Sequence, residues 1–356
     1  MIPPKPVKGR GAGSNASSRY VQQQREAFDD GWGEDPQGEQ KPLTQLFTDA
    51  SRKIISYNQS PDVPFDRSIN PYKGCEHGCS YCFARPSHAW LDLSPGLDFE
   101  TRIFAKPEAP ALLAKELAHP RYQVAPIALG INTDAYQPME RKLGLTRALL
   151  EVLAAHRHPV SIVTKSALIE RDTDLLASMA QQNLVEVMIS VTSLDHELSR
   201  RMEPRAASPT RRLQTIRTLR AAGIPVGVLF APVIPALNDS ELEAVVSAVA
   251  EAGAQSAGYV MLRLPHELKT LFEDWLQTHY PLKAGHVMKV IRELRGGKEY
   301  DSTFGERMTG SGEFARLIQQ RFRLACKKAG LNHSHPRLDC SLFELPAKAG
   351  DQLALF

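Results

Sequence analysis

Six short runs of apolar and β-branched residues recur along the chain: "SINPY" at 68 to 72, "PIALGI" at 126 to 131, "PVSIVT" at 159 to 164, "VEVMISV" at 185 to 191, "PVGVLFA" at 225 to 231 and "AGYVML" at 257 to 262. Between the later runs lie segments with apolar residues at helical spacing, among them "MERKLGLTRALLEVLAAHR", "LIERDTDLLASMAQQ", "SPTRRLQTIRTLRAAG" and "SELEAVVSAVAEAG". The third opens on Ser208-Pro209 and closes on Gly223, which suit a helix start and a helix end. Strands apolar on both faces and separated by helices belong in a parallel sheet with right-handed crossovers, either a barrel or an open doubly wound sheet. Six units are too few for a complete eight-stranded barrel, so the expected fold is α/β, an incomplete (β/α)6 partial TIM barrel. In either architecture chemistry gathers at the C-terminal ends of the strands.

The pattern turns helical after the sixth run, in "PHELKTLFEDWLQTHY" and "GHVMKVIRELR", then passes a Gly-rich loop to another helix around "GEFARLIQQRFRLACKKAG". The first 45 residues mix Pro, Gly, Ser, Gln and charge without apolar periodicity, a composition that does not repay its ordering entropy. The expected division is a disordered or loosely draped segment over 1–45, the partial barrel over 46–265, and a helical extension packed on it over 266–356. At 356 residues with 42% apolar content, most of the chain has enough apolar surface to fold. A net charge of +3 is too mild to announce nucleic-acid binding. No run of about 18 apolar residues occurs, and the start "MIPPKPVKGRGAGSNASSRY" lacks the apolar centre of a secretory signal. The expected compartment is therefore the cytoplasm.

Three of the five cysteines crowd into "NPYKGCEHGCSYCFAR", spaced C-x3-C-x2-C as Cys75, Cys79 and Cys82. In a reducing cytosol such a cluster points to metal binding before disulfides. A structural zinc site takes four protein ligands, and His77 or His88 could supply the fourth. A 4Fe-4S cluster held by only three thiolates instead leaves one iron open to a small molecule. The loop directly follows the first candidate strand, where an active-site loop of a βα barrel belongs, and aromatic Tyr81 precedes the third cysteine. Cys326 and Cys340 lie far away in sequence and read as packing residues, so one cluster is expected.

The C-x3-C-x2-C loop with an aromatic before its last cysteine, set after the first strand of a six-unit βα chain, resembles the radical S-adenosylmethionine (radical SAM) superfamily. The resemblance implies that Cys75, Cys79 and Cys82 ligate a 4Fe-4S cluster whose open iron is chelated by S-adenosylmethionine. It implies that one electron, from a reductant such as flavodoxin or ferredoxin, cleaves the sulfonium to methionine and a 5'-deoxyadenosyl radical. From about residue 66 to 240, "GINTDAYQP", "IVTKS", "MISVTSLD" and "MEPRAASPTRRLQTIRTLRAAGIPVGVLFAPVIP" resemble the branch that contains spore photoproduct lyase, a DNA-repair enzyme. That likeness implies that Lys165 and Ser190, at strand C-termini, reach S-adenosylmethionine. Such an ammonium could pair with the cofactor carboxylate, and such a hydroxyl could bond a ribose or carboxylate oxygen.

Asn132, Thr133 and Asp134 occupy the place of the superfamily's Gly-Gly-Glu-like stretch, which binds the methionyl amino group. Glu203 and Arg205 follow the fourth strand and read either as a hold on ribose or substrate or as a loop ion pair; Arg211 and Arg212 read as a solvated helix face. The lyase uses a further cysteine near its second strand end as hydrogen donor, and no cysteine lies between Cys82 and Cys326 here. Tyr136 is the candidate replacement, since a phenol also gives up a hydrogen atom; a wall residue is the other reading. Arg307, Arg316, Arg321 and Arg323 make either a basic face near the barrel mouth or a solvated helix. The expected function is hydrogen abstraction from an unidentified substrate, with nucleic-acid repair or modification set against a peptide or small metabolite. The alternative is a non-enzymatic zinc or nucleic-acid-binding protein using the cysteines and a histidine.

Overall fold

Each of the six runs forms a strand, and each strand's neighbour in space is its neighbour among those runs. The computed structural model describes residues 7–20, 42–333 and 337–345. In chain order its strands are β1 (Gln45–Thr48), β2 (Ile55–Tyr57), β3 (Arg67–Ile69), β4 (Tyr72–Lys73), β5 (Arg102–Ala105), β6 (Ile127–Leu129), β7 (Val160–Thr164), β8 (Val185–Ser190), β9 (Val226–Val233) and β10 (Ser256–Met261). The main sheet runs β10-β9-β8-β7-β6-β3-β2, parallel throughout except for β2, which pairs antiparallel to β3 at the edge.

The run "SINPY" does not stay in one sheet. Pro71 lacks the N–H that a central ladder needs, so β3 stops at Ile69. The chain resumes as β4, which joins β1 and β5 in a second, three-stranded sheet. The expectation of strands apolar on both faces holds fully for one face, while the other is mixed. Ile162, Val187, Val226, Val228 and Phe230 are buried to 1% exposure or less in a core shared with the covering helices. Ser161, Val163, Glu186, Met188 and Leu229, one step along, face the other way and stay half-buried. Only the helix-facing side needs a continuous apolar row, where full burial of each Leu, Ile or Val contributes roughly 1.5–3 kcal/mol.

The covering helices include Ala109–Leu117, Leu145–Ala155, Thr173–Ala180, Pro209–Ala221 and Leu242–Glu251. Pro209 takes the first turn of its helix, and the Ser208 hydroxyl accepts from the Arg211 N–H at 3.4 Å. The segment "MERKLGLTRALLEVLAAHR" is two helices, because Gly144 adopts φ +66° and ends Glu140–Leu143 before the longer helix starts. Beyond β10, Leu268–His279 and Pro281–Glu293 pack together, and Gly312–Ala329 lies along Leu242–Glu251. Cys326 sits in that seam at 4% exposure, as the packing reading expects. No helix among the described residues is long and apolar enough to cross a membrane.

Residues 7–20 depart from the expected loose start and lie against the cysteine loop. The Glu100 carboxylate is fully buried and accepts from Gly11 N at 3.0 Å, Ala12 N at 2.9 Å and the buried Arg85 guanidinium. A Cβ at Gly11 would stand 1.7 Å from the Gly78 carbonyl oxygen, so only glycine permits this approach. Residues 21–41, also part of the expected disordered segment, lie outside the described residues, as do 334–336 and 346–356 of the expected extension.

Glu100→Ala leaves Arg85 charged and unpaired in the interior. The expected loss is about 3–5 kcal/mol, seen as a lower Tm, with earlier tryptic cleavage at Lys8, Arg10 or Arg19.

Candidate cofactor site

Three backbone bonds pin the cysteine loop: Cys75 N to Phe99 O at 2.9 Å, Ser80 N to Met202 O at 2.9 Å, and Arg205 N to His77 O at 3.3 Å. Arg85, 1% exposed, holds it from within, with Nε donating to Cys79 O at 2.8 Å and Nη1 to Gly96 O at 2.9 Å. Cys75 and Cys79 are buried and Cys82 is half-buried. Burial pushes the Cys75 thiol well above its ordinary range, with Asp134, Cys79 and Cys82 adding to the rise. Burial likewise pushes Cys79 up to about 12; Lys165 opposes that rise, while Glu203 and Cys82 add to it. Cys75 and Cys79, two buried thiols that resist ionisation without compensating positive charge, suit a cationic iron–sulfur centre. Among the described residues no three His, Cys, Asp or Glu stand close enough to share one metal ion.

Two buried carboxylates flank the loop. Asp134 accepts from Tyr136 N at 2.9 Å, Thr164 Oγ1 at 2.7 Å and Lys165 N at 3.0 Å. His77 Nδ1 stands 3.3 Å from its Oδ2, close enough for charge interaction but without hydrogen-bond geometry. Burial alone would raise the Asp134 pKa; His77 and Lys165 overcome that and hold it below the usual carboxylate range. Glu203, 2% exposed, accepts from the Tyr81 hydroxyl, from Thr192 Oγ1 at 2.8 Å and from the Arg212 guanidinium. Burial again opposes its ionisation, and Arg212 with Lys165 brings its pKa down to about 2.

Lys165 lies just past the C-terminus of β7, half-buried, with no carboxylate within ion-pair distance of its ammonium among the described residues. Burial disfavours its charge, yet Cys79, Glu203 and Asp134 more than offset this and raise its pKa. Ser190 ends β8, is 6% exposed, and its hydroxyl makes no hydrogen bond to the described residues. Its carbonyl accepts from Arg212 Nη1 at 3.0 Å. Lys165 and Ser190 therefore carry unused polar atoms at adjoining strand ends, β7 beside β8. Asn132 N and Thr133 N donate to Asn70 Oδ1 at 2.9 and 3.3 Å, and Thr133 Oγ1 donates to Tyr72 O at 2.7 Å. The turn that holds Asp134 is thereby tied to the strand leading into the cysteine loop.

Other residues depart from expectation. Arg212 is not on a solvated face: it is 2% exposed and is the counter-ion of Glu203, while Arg211 next to it does sit outside, paired with Glu170 at 2.7 Å. Arg205 pairs with Glu76 at 3.1 Å and not with Glu203, which separates the two residues expected to act together. Tyr136 is 0% exposed in the helix-facing core, its hydroxyl donating to Asp172 at 3.1 Å. Burial pushes its pKa up, with the charge of Asp172 adding to the rise. Arg307 is spent on Asp62, and Arg321 on Glu243 at 2.6 Å; Arg316 and Arg323 are exposed on the helix packed outside the sheet. His88 is fully buried, its Nε2 3.0 Å from Arg102 O and its ring edge-on to Phe99, so it is a packing residue.

The sequence matches the radical SAM superfamily over residues 69–249. The chain belongs to that superfamily, whose members bind a 4Fe-4S cluster and S-adenosylmethionine. An uncharacterized protein of Mycobacterium tuberculosis is 40% identical over 232 residues, 65% of this chain and 68% of the relative. One of Methanocaldococcus jannaschii is 27% identical over 231 residues, 65% of this chain and 82% of the relative. Among solved structures, spore photoproduct lyase complexed with dinucleoside spore photoproduct is similar with TM-score 0.57 at 17% identity, covering 80% of each chain. A mutant of that lyase with bound AdoMet and dinucleoside spore photoproduct gives 0.56 at 17%, again over 80% of each. At that identity the likeness is one of fold.

Burial lowers the His88 pKa from 6.5 to about 4, so its protonation favours the unfolded chain. Stability is expected to be full above pH 6.5 and to fall as pH drops toward 4. Buried His158, also lowered from 6.5 to about 4, adds a loss of the same sign. In urea titrations across that window His88→Gln should show a shallower pH slope than the parent, with its iron content unchanged.

Proposed function

We propose that the chain is a radical SAM enzyme in which Cys75, Cys79 and Cys82 hold one 4Fe-4S cluster and Lys165 and Ser190 hold S-adenosylmethionine. The observation that carries this reading is the unpaired Lys165 ammonium at a strand C-terminus, electrostatically coupled to Cys79, Glu203 and Asp134. A lysine kept charged without a carboxylate of its own is ready for the carboxylate of an incoming amino-acid group. When bound, the cofactor pair supplies one-electron cleavage of S-adenosylmethionine to methionine and a 5'-deoxyadenosyl radical that takes hydrogen from the substrate. The chain's own share is positioning and exclusion of water. Asp134 fixes the backbone at Lys165 N, and Glu203 with Arg212 fixes Tyr81 beside the loop and the carbonyl of Ser190. The backbone of Asn132, Thr133 and Asp134 then frames the methionyl end, the role of the superfamily's Gly-Gly-Glu-like stretch.

We read the fold as an incomplete (β/α)6 barrel over 46–265 with a helical extension over 266–356, working in the reducing cytoplasm with a flavodoxin or ferredoxin as electron source. The half-buried face bearing Ser161, Glu186 and Met188 is the lumen side on this reading. Fold likeness to a lyase complexed with a dinucleoside photoproduct favours nucleic-acid repair or modification as the substrate class. The lyase's own route is not carried over, because no cysteine lies between Cys82 and Cys326 and Tyr136 is turned into the core.

Anaerobic reconstitution should give a brown protein with about four irons per chain that cleaves S-adenosylmethionine under reductant. Cys75→Ala, Cys79→Ala or Cys82→Ala should lose the cluster. Lys165→Ala should keep its iron and bind S-adenosylmethionine about ten- to a hundredfold more weakly, the worth of one charge-assisted bond. A colourless protein that holds zinc, needs His77 or His88 for it and cleaves nothing would sink the proposal.

A further inference from the structure

A second concave site opens on one side of the cysteine loop at Glu76, between the N-terminal segment and the loops after β6 and β8. The cleft encloses about 560 Å³, within the usual range for small-ligand sites. Its charged lining is lopsided. Lys8, Arg10, Lys142 and Arg205 face it, against the single carboxylate of Glu76. These cations come from three separate stretches of chain, brought together by the seating of residues 7–12 on Glu100. Only Arg205 is paired, at 3.1 Å from Glu76; Lys8, Arg10 and Lys142 make no ion pair among the described residues.

The two guanidinium groups converge on one atom. Thr44 Oγ1 accepts from Arg10 Nη2 at 3.3 Å and from Arg205 Nη1 at 3.4 Å, while donating to Glu76 at 2.7 Å. Arg10 is otherwise spent on neutral carbonyls, Glu100 O at 2.8 Å and Pro42 O at 2.7 Å. Burial lowers its pKa, and the charge of Arg205 lowers it further. Two like charges held together with one acid between them leave a positive field that a multiply charged anion relieves. Beside them Leu43, 82% exposed, and half-buried Pro138 and Met139 give an apolar wall.

We propose that this cleft binds a phosphate group carried on an apolar or aromatic body, with Arg10 and Arg205 as the fork and Lys8 and Lys142 as outer cations. The site stands on its own residues and does not depend on the cofactor reading. Its ligand is a phosphate ester, from either a free nucleotide-like compound or a nucleic-acid backbone.

The test uses the full reconstituted chain, with inorganic pyrophosphate in calorimetry and a fluorescein-labelled, 5'-phosphorylated oligothymidylate in anisotropy. The double variant Lys8→Glu/Lys142→Glu changes two exposed side chains outside the cofactor site. It should weaken binding about tenfold or more, while Tm and S-adenosylmethionine cleavage stay at the parent's values. Exposed Lys289→Glu, on Pro281–Glu293, should leave binding as it is. Tighter and more salt-dependent binding of the oligonucleotide than of pyrophosphate supports the site with a strand as ligand. Binding of pyrophosphate alone supports it with a free compound. The proposal is overturned if the parent binds neither probe saturably, if Lys289→Glu loses as much as the double variant, or if only an acidic flavodoxin binds there.

Discussion

The buried pair of Glu203 and Arg212 is the constraint around which the site is arranged. Each would be costly to bury alone, and together they set a charged centre beside a loop that the Arg85–Glu100 pair holds from within. From that centre one bond reaches Tyr81 in the cysteine loop, one reaches Thr192 beyond β8, and one from Arg212 reaches the Ser190 carbonyl. Moving any of these would strand a charge in the interior. The loop, the end of β8 and the helix Pro209–Ala221 therefore hold position as one unit.

Asp134 does the same on the opposite side with different means. It gathers backbone and hydroxyl donors from β7 and its own turn, and His77 brings a ring from the cysteine loop. The Lys165 ammonium feels the charge of both acids and is paired with neither among the described residues. The protein thus holds a cation poised by two fixed negative centres, an arrangement that attracts a ligand anion without committing the lysine beforehand.

Much of this was legible in the sequence, and the parts that were not share a cause. The β-branched runs mark the strands because the helix-facing side of a parallel sheet must be apolar, and the three cysteines mark the loop because their spacing is local. Lys165 and Ser190 fall at the ends of β7 and β8, as their runs place them, because strand ends are local too. Arg212 was misread because it and Arg211 differ only in which side of one helix they take, and the burial of Arg212 depends on Glu203 having arrived from another loop. The two readings of Tyr136 stayed open in the sequence because its placement depends on the turn at Asp134, which carries it into the helix-facing core where its hydroxyl meets Asp172. The fate of residues 7–20 could not be read from their composition, since what orders them is Glu100, far along the chain.

The three thiols are not equivalent to the solvent. Cys75 and Cys79 are 7% and 6% exposed, whereas Cys82 is half-buried and is followed by Phe83, whose ring is 42% exposed. A thiol's oxidation follows its accessibility as well as its ionisation. Oxygen or an alkylating reagent reaching the metal-free chain would therefore meet Cys82 first, and damage to the triad would begin at one corner while the other two sulfurs stayed intact.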